Sequence, residues 1–205
     1  MLPFEIPAGT TLDTLFTDVL PKTHAKLVPA AAGTERFVVV SRVVGFKSFT
    51  LEICGNVLTV REGEEAGANF WQMVTRETAQ RFLDDWLGDK RLAPTSLPKG
   101  PLISLSDPRI LKRLSLVSGK VELALTDVVG GRMAMTTASG SAAKKQIHGD
   151  EPDVVIEAPG SALTRLLEGK LSPEDALMDG AVTIRGKKLI AMQFALALAP
   201  FYPKG

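Results

Sequence analysis

From residue 36 to residue 74 the chain is built of short β-branched and aromatic segments separated by glycines, a pattern that forces a sheet whose apolar face needs a cover. It predicts strands at 37–43, 48–53 and 57–61, with Gly45, Gly55 and Gly63 at the turns. Gly55-Asn56 suits a two-residue hairpin turn, because both residues tolerate positive φ. A further strand is expected at 69–74, leading into Thr75 as the N-cap of a helix. In that helix Ala79, Phe82, Leu83, Trp86 and Leu87 recur at helical spacing, so one apolar stripe faces the sheet, and Gly88 stops it. Ahead of the strands, residues 10–27 read as a short helix with Leu12, Leu15, Phe16 and Val19 on one face and Pro21 interrupting.

The second half follows the same plan. Strands are expected at 120–126, 132–137 and 153–158, then a helix from about Ser161 carrying Leu163, Leu166 and Leu167, with Gly169 as its stop. The chain has 205 residues against a usual ~150 per domain, and its densest punctuation is Pro94-Thr95-Ser96-Leu97-Pro98-Lys99-Gly100-Pro101. The boundary is therefore placed at residue 98, giving halves 1–98 and 99–205. They read as a degenerate internal duplication, the alternative being two unrelated α+β runs. Only the second half continues: Ser172-Pro173-Glu174-Asp175 starts a short helix, Gly180 ends it, and 181–185 alternates as a strand. Residues 189–199 then form a helix apolar nearly all round, which should be buried or ligand-facing.

Composition narrows the chemistry. A net charge of +1, with 23% charged and 45% hydrophobic residues, gives no basic surface for nucleic acid. One cysteine, Cys54, excludes an intramolecular disulfide framework and fits a reducing compartment. The start Met1-Leu2-Pro3-Phe4-Glu5 has no signal-peptide pattern, and the run 189–201, broken by Gln193 and Pro200, is shorter than the ~18 residues of a membrane span. A cytoplasmic location is expected. His24 and His148 have no nucleophile beside them and read as surface or turn residues; neither nucleotide-binding nor zinc motifs occur. Glu62, Glu64 and Glu65 read as a solvated loop. The pairs Lys144-Lys145 and Lys187-Lys188 attract a membrane weakly, which limits membrane contact to a transient one. What remains is an apolar surplus at Met133, Met135, Leu177, Met178, Met192 and Phe194. Methionine suits a surface that accepts variable apolar shapes, and plain core packing is the other reading.

The stretch Pro152-Asp153-Val154-Val155-Ile156, followed by Ser161 to Gly169 and by Lys170-Leu171-Ser172-Pro173-Glu174-Asp175-Ala176-Leu177-Met178-Asp179-Gly180-Ala181-Val182-Thr183-Ile184-Arg185-Gly186, resembles the C-terminal half of the sterol carrier protein 2 (SCP-2 sterol transfer) domain. The shared pattern is a strand, a helix ending L-x-x-G-K-x-x-P, a short helix ending in Gly, a strand x-x-I-x-G and an apolar last helix. The resemblance implies an α+β fold, a mainly antiparallel, curved, five-stranded sheet covered by helices, with an apolar tunnel for fatty acyl chains or sterols. It brings no catalytic residues and no cofactor. Carried over by residue, the tunnel wall takes Leu166 and Leu167, Leu177 and Met178, and Ile190, Met192, Phe194 and Leu198; Met133 and Met135 are added from periodicity. Three departures stand out. The helix and strand expected first are squeezed into 107–119, the loop 138–152 is long and polar enough to gate a tunnel, and the first half lacks the closing strand-helix module and so reads as scaffold. The expected function is non-enzymatic binding and carriage of a lipid or other apolar small molecule. The alternative is an accessory or oligomerisation module, such as a homodimer, with a core filled by side chains. An enzyme acting on a lipid-like substrate has the least support, since no nucleophile and base lie together.

Overall fold

A computed structural model describes residues 6–29, 34–84, 107–128, 130–145, 151–167 and 169–198. The Pro-rich boundary, Trp86, Leu87 and Gly88 lie outside these residues. The fold is α+β: one open, mixed, eight-stranded sheet with helices against one face. The strands are β1 Arg36–Val44, β2 Ser48–Cys54, β3 Val57–Glu62, β4 Phe70–Thr75, β5 Gly119–Leu125, β6 Met133–Ser139, β7 Val154–Ala158 and β8 Thr183–Gly186. Their order is β3-β2-β1-β4-β6-β5-β7-β8. Each lies within two residues of the segment its sequence pattern marks, and Cys54 pairs with Val57 across the Gly55-Asn56 turn, where Gly55 has φ 57°.

The pairing pattern of the first half recurs in the second. β1 runs antiparallel to β2 and parallel to β4; β5 runs antiparallel to β6 and parallel to β7. The halves meet where β4 pairs antiparallel with β6, Phe70 opposite Ser139 through Val74 opposite Met135. The end strand of the first unit is thereby covered by the second, so neither leaves an open edge at the seam.

Alternation along the strands splits the sheet into two faces. Phe37, Val39, Phe49, Leu51, Ile53, Phe70, Val121 and Val154 point to the main core. Val38, Val40, Trp71 and Ala138 point the other way and are capped by Ala68, Ala142 and Ala143. Ala142 and Ala143, just after β6, therefore pack on the face away from the main core. Trp71 there carries the only buried side-chain nitrogen or oxygen without a partner among the described residues, its indole nitrogen.

The helical cover starts with α1 (Leu12–Thr14), a π turn (Leu15–Val19) and α2 (Leu20–Leu27) in unbroken succession. Pro21 does not stop this helix. A proline lacks the N–H and its ring crowds the carbonyl four residues back, and the π turn immediately before it takes up that mismatch. Lys47 ties α1 to the β1–β2 turn through Asp13 at 2.9 Å. The remaining helices are α3 (Arg76–Asp84), α4 (Pro108–Leu114), α5 (Gly160–Leu167), α6 (Pro173–Met178) and α7 (Lys188–Leu198). Asp107 caps α4, accepting from the Arg109 N–H at 2.8 Å, and Ser172 caps α6, accepting from the Asp175 N–H at 3.0 Å.

Two further sequence expectations are corrected. His24 is a core residue, fully buried on α2, with Nε2 donating to the Gly55 carbonyl at 3.1 Å. An isolated histidine on an amphipathic helix carries no signal that a distant hairpin turn will supply its partner. Burial lowers its pKa, outweighing the Gly55 bond and the Asp107 charge that favour protonation. Because the folded pKa lies below the unfolded one, this contribution to stability is complete above about pH 6.5 and is lost as pH falls through the folded value. Urea unfolding at pH 8 and pH 5 should show wild type losing more stability than His24→Gln, which keeps an N–H donor without the titration; equal losses would mean that His24 does not sense pH.

The second correction concerns α7, which is not apolar-buried all round. Ala191, Phe194 and Ala197 are buried, while Leu189, Met192 and Leu196 are 60–67% exposed. The small alanines let the helix sit close to the sheet, and Gly119 beneath it leaves room for Ile190, whose carbons would stand 2.8 Å from a Cβ at that position. The larger side chains are left on the outer face. No described helix is long and apolar enough to cross a membrane.

Candidate apolar ligand site

A cavity of about 220 Å³ lies between the inner face of the sheet and the helical cover. It exceeds the roughly 150 Å³ apolar cavity known to admit benzene. Its floor is β1 to β6: Val39 and Ser41, Leu51 and Ile53, Leu58, Phe70, Gln72 and Val74, Leu123, and Met135 and Thr137. Its roof is Leu12, Leu15, Phe16 and Leu20 from the N-terminal helical stretch, Ala79 and Phe82 from α3, Leu111 and Leu114 from α4, and Phe194 from α7.

Local structure explains why these side chains stand where they do. Phe16 is held by stacking on Phe49, ring centroids 4.3 Å apart and planes 7° from parallel. Arg81, on the outer side of α3, donates to the Gly131 carbonyl at 2.9 Å and pins that helix over the turn between β5 and β6. Thr75, as expected, caps α3 by accepting from the Thr78 N–H at 3.1 Å. Ala79 and Phe82 are thereby presented to the space below.

None of the described lining residues is acidic, basic, His or Cys. Charges lie elsewhere. Glu64 is paired with Arg42 at 2.6 Å, Glu62 with Lys47 at 3.0 Å, and Glu65 with Arg61, so the acidic loop of the sequence is a set of ion pairs. Arg132 bridges Glu122 and Glu157 on the outer face. Burial works against ionisation of Asp107, but bonds from the Arg109 guanidinium and N–H, with the Arg109 charge, bring its pKa below the ordinary carboxylate value. Asp153, bonded by Lys187 Nζ at 2.6 Å and by the Lys120 N–H at 3.0 Å, is likewise lowered, chiefly by Lys187. Among the described residues no three His, Cys, Asp or Glu side chains converge as metal ligands.

The ten wall residues named from the sequence are spread over several places. Met135 and Phe194 line the cavity. Met133 is buried beside its end with Leu125 and Val128, packed against Phe82 and Leu163. Ile190 packs on the main core, and Leu166 packs on a separate small cluster of Ala162, Leu171 and Ala176. Leu177, Met178 and Met192 are exposed. The side chains of Leu167 and Leu198 lie outside what the structure describes.

The sequence reading missed the contribution of the first half. Fourteen of the twenty described lining residues precede residue 98, so this half is wall as well as scaffold. A signal was present: Ser41, Gln72 and Thr137 each interrupt the inward apolar parity of a strand. No described residue of the loop 138–152, read as a gate, lines the cavity.

Comparison with known proteins follows this geometry. Residues 102–199 match the SCP-2 sterol transfer family, as the resemblance read from the sequence anticipated. Among solved structures, the sterol carrier protein 2 like 2 of Aedes aegypti is 19% identical, with 43% of this chain and 90% of that one covered and a TM-score of 0.31. The sterol carrier protein domain 2 of Helicoverpa armigera is 20% identical over 48% of this chain and 76% of that one, TM-score 0.34. A protein described as UbiJ-SCP2, a ubiquinone synthesis protein, is 13% identical over 97% of this chain and 99% of that one, TM-score 0.21. No curated protein matches the chain.

Proposed function

We propose that this protein is a non-enzymatic, cytoplasmic carrier that binds an apolar, lipid-like molecule in the cavity between its sheet and helices. The family match over residues 102–199 supports lipid binding as the class of activity. The observation that carries the reading is the cavity itself: a space of about 220 Å³ with an almost wholly apolar wall, where a module serving only as an accessory would be filled by side chains.

Both halves of the chain take part in this reading, and the repeated pairing pattern of β1, β2 and β4 in β5, β6 and β7 supports a degenerate duplication joined at the β4–β6 seam. One site then serves the two units, with Phe194 of α7 in its roof. Apolar burial supplies the affinity. Each methylene withdrawn from water contributes about 0.8 kcal/mol, so a ten-carbon chain approaches about 8 kcal/mol, near a micromolar dissociation constant, before the cost of ordering it. Titration with the methyl ester of pyrenedecanoic acid should give saturable, one-site fluorescence enhancement in the micromolar range. A linear, unsaturable response would reject the reading.

A further inference from the structure

The floor of the cavity is not uniformly apolar. Ser41 lies opposite Gln72 in the β1–β4 pairing, and Gln72 lies opposite Thr137 in the β4–β6 pairing. The three form one straight row across three adjacent strands, flanked by Phe49, opposite Ser41, and by Val121, opposite Thr137. With neighbouring strands about 4.8 Å apart, the row spans about 10 Å. All three residues line the cavity.

Their burial makes them informative. Ser41 is 4% exposed and Thr137 9%. Within the described residues neither hydroxyl, nor the Gln72 amide, has a hydrogen-bond partner, and none of their polar atoms is sealed off by packing. They face the cavity. Polar groups that face an otherwise apolar cavity need a partner from whatever fills it, and a ligand oxygen can supply that partner where an alkyl segment cannot. Each of the three side chains both donates and accepts, and none is charged. An ionised headgroup placed against this row would meet no counter-charge from the described wall.

We infer that the row Ser41–Gln72–Thr137 is a recognition element for an apolar molecule bearing an uncharged oxygen function, a carbonyl or a hydroxyl, within its body. The assignment rests on the carrier reading above and adds the ligand class to it. Gln72 comes from β4 and Thr137 from β6, so the row exists only where the two halves share an edge. Recognition is therefore a property of the joined chain and belongs to neither half alone.

The test uses the full chain and two probes of equal length, 5-nonanone and nonane, each measured by displacement of the pyrenedecanoate ester. The comparison is wild type against Ser41→Ala/Gln72→Leu/Thr137→Val, which keeps shape and removes the polar atoms, with the near-isosteric Thr137→Val alone as the variant least able to disturb folding. The triple variant should bind 5-nonanone about tenfold more weakly and nonane no more weakly than wild type; Thr137→Val should shift the ketone in the same direction by about threefold. The infrared carbonyl stretch of bound 5-nonanone should lie at lower frequency in wild type than in Thr137→Val. Unchanged ketone affinity and an unshifted carbonyl band, with both probes still bound, would overturn the polar-row assignment and leave the carrier reading intact. Failure of wild type to bind either probe or the ester would overturn both.

Discussion

Replacing Ala79 with phenylalanine should sharply weaken binding of the pyrenedecanoate ester while leaving the protein about as stable as wild type. Ala79 projects from α3 into the cavity, opposite the floor strands, and it is the smallest side chain in the described roof. Ala79 borders the cavity as well as the cluster of Leu12, Leu15, Val19 and Leu83, so a phenyl ring there can extend into the cavity and the usual overpacking penalty of about 1–3 kcal/mol is reduced. The ring also removes apolar cavity wall from water, a change that favours the folded state. Ligand and ring compete for one volume, and the dissociation constant should rise at least about thirtyfold, corresponding to about 2 kcal/mol of lost chain burial. The pairing of lost binding with kept stability separates this outcome from misfolding. A variant that melts as wild type does and still binds the ester with unchanged affinity would place the ligand somewhere else.

The second large effect is on stability. Gly186 ends β8 with φ +95°, and a Cβ at that position would collide with the Asp153 carbonyl oxygen. That carbonyl accepts the Lys187 N–H at 2.8 Å, and the Asp153 carboxylate also holds Lys187 Nζ, so the backbone opposite Gly186 has little freedom to move aside. Gly186→Ala should cost about 2–4 kcal/mol from steric and backbone strain together. In a chain of this size that corresponds to a fall in melting temperature of roughly 5–15 °C. Gly180 is the matched control. It has φ +68° with nothing within 4 Å of a Cβ, so Gly180→Ala should cost only about 1 kcal/mol. Equal losses for the two alanines would show that the contact with Asp153 is relieved at little cost.

The features legible in the sequence are those set by short-range physics. Strand periodicity located all eight strands, because inward residues such as Phe37, Val39 and Phe49 alternate with outward ones and glycines mark the turns. The caps at Thr75 and Ser172 were legible for the same reason, since a hydroxyl three residues ahead of an N–H is a local arrangement. Lateral order was not. Nothing near Val74 says that it will lie opposite Met135, and the seam between β4 and β6 depends on both halves being present. The cavity wall follows from that seam. A reading that assigned the ligand to the second half found Met135 and Phe194, and it passed over Phe16, Ser41, Gln72 and Ala79 because the resemblance covered only the later residues. His24 and α7 show the same limit: burial was decided by a hairpin turn 31 residues away and by the glycine under Ile190.

Native mass spectrometry of the protein purified without detergent or organic solvent addresses the cavity most directly. Wild type should carry a single non-covalent adduct of a few hundred daltons that is extracted by organic solvent and is absent from Ala79→Phe purified in parallel. Wild type at its bare sequence mass, together with no adduct after incubation with the pyrenedecanoate ester, would contradict the account.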